Sequence, residues 1–190
     1  MNTEQITGVI LAGGQGLRMG GVDKGLQDFH GRPLVAWAIG HLKPQVHRLL
    51  ISANRNLERY AAFGYPVLPD QMPDYAGPLA GIHAALTHAQ TPWVATVPCD
   101  APNLPHDLIA RLVAELNSHD ADIAVARTAA RAEPLHCLIR RTVLPQLTAY
   151  LGDHQRKVLD WQNTLKHCWV DFDAATFRNI NTLEELTRHD

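Results

Sequence analysis

Gly8-Val9-Ile10-Leu11-Ala12-Gly13-Gly14-Gln15-Gly16-Leu17-Arg18-Met19-Gly20-Gly21-Val22-Asp23-Lys24-Gly25 decides how the rest of the chain is read. The apolar run Val9-Ile10-Leu11 is the pattern of a buried strand, and it breaks at once into glycines at 13, 14, 16, 20 and 21. Glycine lets a ligand approach the backbone closely, and backbone N–H groups with nearby cations make a concave anion site. Arg18 and Lys24 supply those cations, so the segment reads as a polyphosphate-binding loop at the carboxyl end of a first strand. Its spacing fits neither Gly-x-x-x-x-Gly-Lys-Ser/Thr nor Gly-x-Gly-x-x-Gly, because Met19 stands where the third glycine of the latter belongs.

The bulk properties restrict what such a loop can serve. At 190 residues the chain is expected to form one domain over 1–190. A net charge of −2, with cations placed singly, gives no electrostatic footprint for nucleic acid or an anionic membrane. No apolar run is long enough to span a bilayer, and the N-terminal Met1-Asn2-Thr3-Glu4-Gln5 does not read as a secretory signal. Cys99, Cys137 and Cys168 lie far apart without Cys-x-x-Cys spacing, which fits a reducing cytoplasm. The eleven histidines form no His-x-x-x-His pair and read mainly as surface residues.

Working outward from the loop, strand-like and helix-like patterns alternate. Strands are expected at Thr7–Leu11, Arg48–Ser52, Trp93–Val97 and Asp122–Ala126. Helices are expected at Pro33–Leu42, Pro78–Ala89 and Pro105–Asn117, each with a proline suited to a first turn. Leu108, Ile109, Leu112, Val113 and Leu116 give the third of these a core-facing stripe. Leu135–Arg140 breaks the rhythm and is read as an antiparallel or edge strand. Helices near Val143–Leu151 and Gln155–Leu165, a strand at His167–Val170 and a helix opening at Thr182 complete the chain. The expected class is α/β: a doubly wound, mostly parallel sheet with helices on both faces and active residues on strand-end loops.

Asp100 is the second chemical signal. The Trp93–Val97 run delivers Pro98-Cys99-Asp100-Ala101-Pro102 to the same sheet edge as the glycine loop. A carboxylate beside phosphates calls for an intervening Mg²⁺, although an Asx turn also explains an aspartate there. Asp70 ends a further run, and Gly77-Pro78-Leu79-Ala80-Gly81 can start a helix whose free N–H groups face a ligand. Ser52-Ala53-Asn54-Arg55 is a polar strand-end loop, and Asn179-Ile180-Asn181-Thr182 suits either ligation or capping. No nucleophile–base pair is apparent, so the inventory suits phosphoryl or nucleotidyl transfer, where alignment and charge neutralisation dominate.

Taken together and in order, these segments resemble the molybdenum cofactor guanylyltransferases of the nucleotidyltransferase superfamily. Leu11-Ala12-Gly13-Gly14 with Arg18-Met19-Gly20 and Asp23-Lys24 carries the likeness first, and the Asn54, Asp70, Gly81, Asp100 and Asn179 segments extend it over most of the chain. The resemblance implies a Rossmann-like nucleotidyltransferase fold and transfer of GMP from GTP to molybdopterin with release of pyrophosphate. It implies nucleotide contacts from Leu11, Ala12, Gly13, Gly14, Lys24, Asn54, Asp70, Gly81 and Asp100. Arg18, Lys24 and Asp100 would be catalytic, with Mg²⁺ on Asp100, and Asn179 and Asn181 would lie on the molybdopterin side. It also implies transient contact with other proteins of cofactor synthesis or molybdoenzyme maturation. Ser52 stands where relatives often have Asn, and Pro134 and His136 are candidates for a substrate-side segment.

The nearest alternatives are a cytidylyltransferase for the same cofactor, a sugar-1-phosphate nucleotidyltransferase and a non-catalytic GTP-binding module. Cytidylyl relatives more often read Leu-Ala-Ala-Gly, and a methyl at Gly13 would crowd a purine. Keeping both Lys24 and Asp100 favours a catalyst over a binder.

Overall fold

The computed structural model describes residues 2–14, 21–71, 77–173, 176–177, 179–180 and 185–186. Arg18, Asn181 and Thr182 therefore lie outside the described residues. The first strand, β1 (Ile6–Leu11), is buried along its whole length, which is why its sequence is apolar without alternation. It is flanked on one side by β4 (Arg48–Ser52) and on the other by β6 (Trp93–Pro98), both parallel to it. A short β5 (Val67–Leu68) extends β4 in parallel. The sheet continues from β6 through β8 (Ala132–Arg140) to β7 (Ile123–Thr128) and β9 (His167–Phe172), giving the order β5-β4-β1-β6-β8-β7-β9. Strand order reverses direction at β1, so the crevice between the carboxyl ends of β1 and β6 is the natural ligand site of such a sheet.

Helices cover both faces. On one face α1 (Leu34–Leu42) and α4 (Leu108–His119) bury Val35, Ala38, Leu42, Leu108, Leu112 and Leu116 against β1, β6 and β7. On the other, α3 (Pro78–His88), α5 (Leu144–Gly152) and α6 (Val158–Asn163) bury Leu79, Ile82, Leu86, Leu147, Leu151 and Trp161. The short α2 (Leu57–Ala61) contributes Tyr60 to the first face. Among the described residues, no helix is long and apolar enough to cross a membrane.

Among the described residues the expected strands and helices recur with differences. Pro33 ends a short strand (Arg32–Pro33) and stands just before α1, not in its first turn, and α6 is shorter than the Gln155–Leu165 expected. Leu135–Arg140 belongs to β8, which is antiparallel but interior, paired with both β6 and β7. Pro105 precedes α4 by three residues and caps it through its carbonyl, which accepts from Leu108 N at 3.2 Å. A hairpin of β2 (Asp28–Phe29) and β3 (Arg32–Pro33) was not expected. His30 and Gly31 turn it with φ of 52° and 78°, the doubly positive pair of a type I′ turn.

Pairing of β7 with β8 slips between Val125 and Ala126, which face Cys137 and Glu133 respectively. Pro134, Leu135 and His136 thus form a bulge, a device that re-aims side chains. Leu135 turns to the crevice, whereas His136 is 1% exposed and stacks on Phe177 at 4.3 Å between ring centroids. Of the two substrate-side candidates, His136 packs in the core and Pro134 does not line the cavity, whereas Leu135 between them does.

Candidate active site

A cavity of about 490 Å³ opens at the carboxyl edge of the sheet. Leu11, Ala12, Gly13 and Gly14 enter it directly from β1. Ala12 N donates to Ser52 O at 2.8 Å and Cys99 N to Leu11 O at 3.1 Å, so three strand ends are knitted into one floor. Pro98, Cys99 and Asp100 arrive from β6, and Ser52 from β4. Gly77, Pro78 and Gly81 bring the start of α3 to the wall, while Leu135 and Asn179 close the far side.

Gly77 has φ of 64° and ψ of −152°, a conformation open to glycine and costly for other residues. Pro78 then occupies the first helical turn, and Gly77, Pro78 and Gly81 put the start of α3 on the cavity wall. A Cβ built on Gly81 would lie 2.7 Å from Ser52 Oγ and 3.0 Å from Leu11 Cδ2. Gly81 is therefore required for close approach of α3 to the ends of β1 and β4.

Asn54 and Asp70 bind each other reciprocally. Asn54 Nδ2 donates to Asp70 Oδ2 at 2.6 Å, and Asp70 N donates to Asn54 Oδ1 at 2.8 Å. A Cβ on Gly13 would meet Asn54 Nδ2 at 3.1 Å, whereas one on Gly14 would meet nothing within 4 Å. Crowding by a methyl at Gly13 thus falls on the Asn54 amide. Burial raises the Asp70 carboxyl above its ordinary range, against the lowering effect of the Asn54 hydrogen bond. Its Oδ1 is buried and has no hydrogen-bond partner among the described residues.

Lys24, on the 3-10 turn Lys24–Leu26, reaches across the cavity to an ion pair with Asp100 Oδ2. Both side chains are partly exposed, 21% and 18%, so a ligand entering the cavity meets them. The other oxygen, Asp100 Oδ1, is buried and has no hydrogen-bond partner among the described residues. One carboxylate with a spare oxygen suits Mg²⁺, which takes one or two protein carboxylates and fills its remaining positions with phosphate oxygens and water. No group of three or more His, Cys, Asp or Glu forms a closed metal cage among the described residues. Cys99 is inert as a nucleophile, since burial and then the adjacent Asp100 push its thiol far up.

The late motif is tied to the same corner, because Ile180 N donates to Asp100 O at 2.9 Å and Asn179 lines the cavity. Leu11, Ala12, Gly13, Gly14, Lys24, Asp70, Gly81, Asp100 and Asn179 are thus brought together, with Asn54 held just behind through Asp70. Ser52, Gly77, Pro78, Cys99 and Leu135 join them without having been assigned from sequence. Gly77-Pro78 carried a readable signal as a helix start, and Ser52 and Cys99 as members of strand-end segments. Leu135 could not be found without the bulge.

Comparison with known proteins identifies the family and the fold. Residues 8–167 match the model of the MobA-like NTP transferase domain. A molybdenum cofactor guanylyltransferase of Methylibium petroleiphilum is 49% identical, the alignment spanning 99% of this chain and 97% of the relative. Another, from Bordetella petrii, is 50% identical over 95% of each chain. The crystal structure of molybdopterin-guanine dinucleotide biosynthesis protein A from Archaeoglobus fulgidus superposes with a TM-score of 0.79 at 22% identity, covering 95% of this chain and 94% of its own. That last likeness is one of fold.

Proposed function

The chain belongs to the MobA-like NTP transferase family, among the molybdenum cofactor guanylyltransferases, and we propose that it transfers GMP from GTP to molybdopterin. The products are pyrophosphate and molybdopterin guanine dinucleotide. The observation that carries this reading is the meeting of Lys24 and Asp100 in a cavity walled by Leu11–Gly14 and the start of α3. An anionic nucleotide finds there a cation, a run of backbone next to glycine, and a helix N-terminus.

The reaction is a displacement at the α-phosphorus of GTP. An oxygen of molybdopterin's terminal phosphate forms the new P–O bond, and the bond to the bridging oxygen of the β-phosphate breaks with its electron pair leaving on pyrophosphate. The nucleophile is already an anion, so it needs orientation more than a general base. Lys24 neutralises Asp100 before substrate enters and then turns its charge to the phosphates, where it stabilises the leaving group. Arg18 takes a share of the same charge in this proposal. Leu11, Ala12, Gly13 and Gly14 hold the nucleotide through backbone, and Asp70 offers its spare acceptor to a nucleotide N–H or O–H. Gly81 lets α3 come close enough to form the wall. Asn179, which lines the cavity, and Asn181 are assigned to the molybdopterin side in this proposal.

Asp100 would hold Mg²⁺ through its spare oxygen, and the ion would supply positive charge that lowers repulsion among the anionic phosphates. GTP and molybdopterin are the substrates, and proteins of cofactor synthesis or molybdoenzyme maturation make transient contact in the cytoplasm. Asp100→Ala is expected to lower turnover in Mg²⁺ by about 100-fold or more while thermal unfolding still shows a folded protein. Near-normal turnover of that variant would remove the metal role from Asp100.

A further inference from the structure

Arg55 follows Asn54 out of β4, but it does not line the cavity and reaches Gly14, Gly21 and Val22 instead. Its guanidinium donates to Gly14 O at 3.3 Å, to Gly21 O at 2.6 Å and to Val22 O at 3.0 Å. Its Nε lies 3.8 Å from Asp23 Oδ2. Asp23 is buried and fixed from beneath: Tyr60 Oη donates to its Oδ1 at 2.6 Å and Asn56 Nδ2 to its Oδ2 at 2.8 Å. Gly25 presses on the same tyrosine, since a Cβ there would lie 2.5 Å from Tyr60 Oη. Lys24 sits between Asp23 and Gly25 and takes its position from both.

We propose that Arg55 is a positioning residue, tying Gly14 to Gly21 and Val22 so that Lys24 and the Gly13–Gly14 backbone are set for triphosphate before GTP arrives. The inference rests on reading the glycine-rich stretch as the GTP cradle. Glycine-rich backbone loses the most conformational freedom on ordering, and a site that is not preorganised loses affinity by that amount. Carbonyl oxygens also repel phosphate, and three of them are occupied by one side chain. Only a planar fork with five donors spans three carbonyls; a lysine ammonium is a single point charge. Water can replace Arg55 on these partly exposed carbonyls, so its contribution to overall stability is small while its hold on Gly14 relative to Gly21 and Val22 is lost.

The test compares Arg55→Met, Arg55→Lys and Tyr60→Phe in steady-state kinetics, with GTP and molybdopterin varied separately and thermal unfolding measured alongside. Arg55→Met is expected to raise the KM for GTP about tenfold, with a KM for molybdopterin within about twofold of the parent. Arg55→Lys restores only part of the GTP affinity, and Tyr60→Phe shifts the same constant in the same direction. A KM for GTP unchanged in Arg55→Met, or fully restored by Arg55→Lys, overturns the proposal. Should Arg55→Met fail to fold, an unchanged KM for GTP in Arg55→Lys overturns it equally. Lys24→Ala run in parallel separates the two ideas. If Lys24→Ala weakens GTP binding while the Arg55 variants do not, the Arg55 role alone falls. If Lys24→Ala is silent as well, the cradle reading falls with it.

Discussion

Gly13 shows how a single missing methyl acts through a neighbour. The loop's glycines suggest contact with nucleotide, yet the direction of the Gly13 Cα–Cβ bond leads to the Asn54 amide at 3.1 Å. Asn54 in turn holds Asp70, whose other oxygen is spare. Gly13→Ala is therefore expected to displace the Asn54–Asp70 pair and weaken GTP binding by about tenfold, or roughly 1.4 kcal/mol. Gly14→Ala, with nothing within 4 Å of its new carbon, is expected to leave that pair in place. Calorimetric titration of both variants with GTP and Mg²⁺ checks this, and equal losses from the two would refute the route through Asn54. Asp70 and Asp100 were legible because they stand at strand ends, and Lys24 because it closes the glycine-rich stretch. The pairing of Asn54 with Asp70, sixteen positions apart, was not, because only the parallel pairing of β4 with β5 brings them together.

Elements whose sequence carried a strong period were legible, and those shaped by packing were not. Arg48–Ser52 is found as read, and the α4 stripe faces the core at Leu108, Ile109, Leu112 and Leu116. The interior place of β8 was hidden, since an antiparallel strand between two others looks like any short apolar run. Its bulge has a measurable consequence. Burial, and next the charge of Arg131, lower the His136 imidazole to about 3, so it stays neutral in the folded protein down to acid pH. The unfolded chain protonates near 6.5, so stability present above that value is lost progressively as pH falls towards about 3. That one group costs about 2 kcal/mol between pH 7 and pH 5. His136→Phe, which keeps a ring against Phe177, is expected to remove that share of the loss. Denaturant unfolding of both proteins at the two pH values decides it, and equal losses would show that His136 is not the responsible group.

At the scale of the whole molecule, one crevice collects what the sequence spreads over nearly the full length. Lys24 comes from the turn after the glycine segment, Asp100 from the end of β6, and Asn179 from beyond β9, and the reversal of strand order at β1 brings them to one cavity. This is why the α/β class, the site's location and the helix start at Gly77-Pro78 could be read from sequence, while the place of Leu135 in the cavity's second wall could not. Gly77, Pro78 and Leu135 form that wall through helix placement and a bulge. The same cavity supports the choice of reaction, because a cation and a carboxylate with one spare oxygen suit phosphate chemistry better than passive binding. The most direct measurement is pyrophosphate release from purified protein with Mg²⁺ and molybdopterin, supplied with GTP or CTP in turn. The account predicts one pyrophosphate per GTP consumed, only when molybdopterin is present, at a kcat/KM at least about tenfold above that with CTP. A preference for CTP, or no molybdopterin-dependent release from GTP, would contradict it.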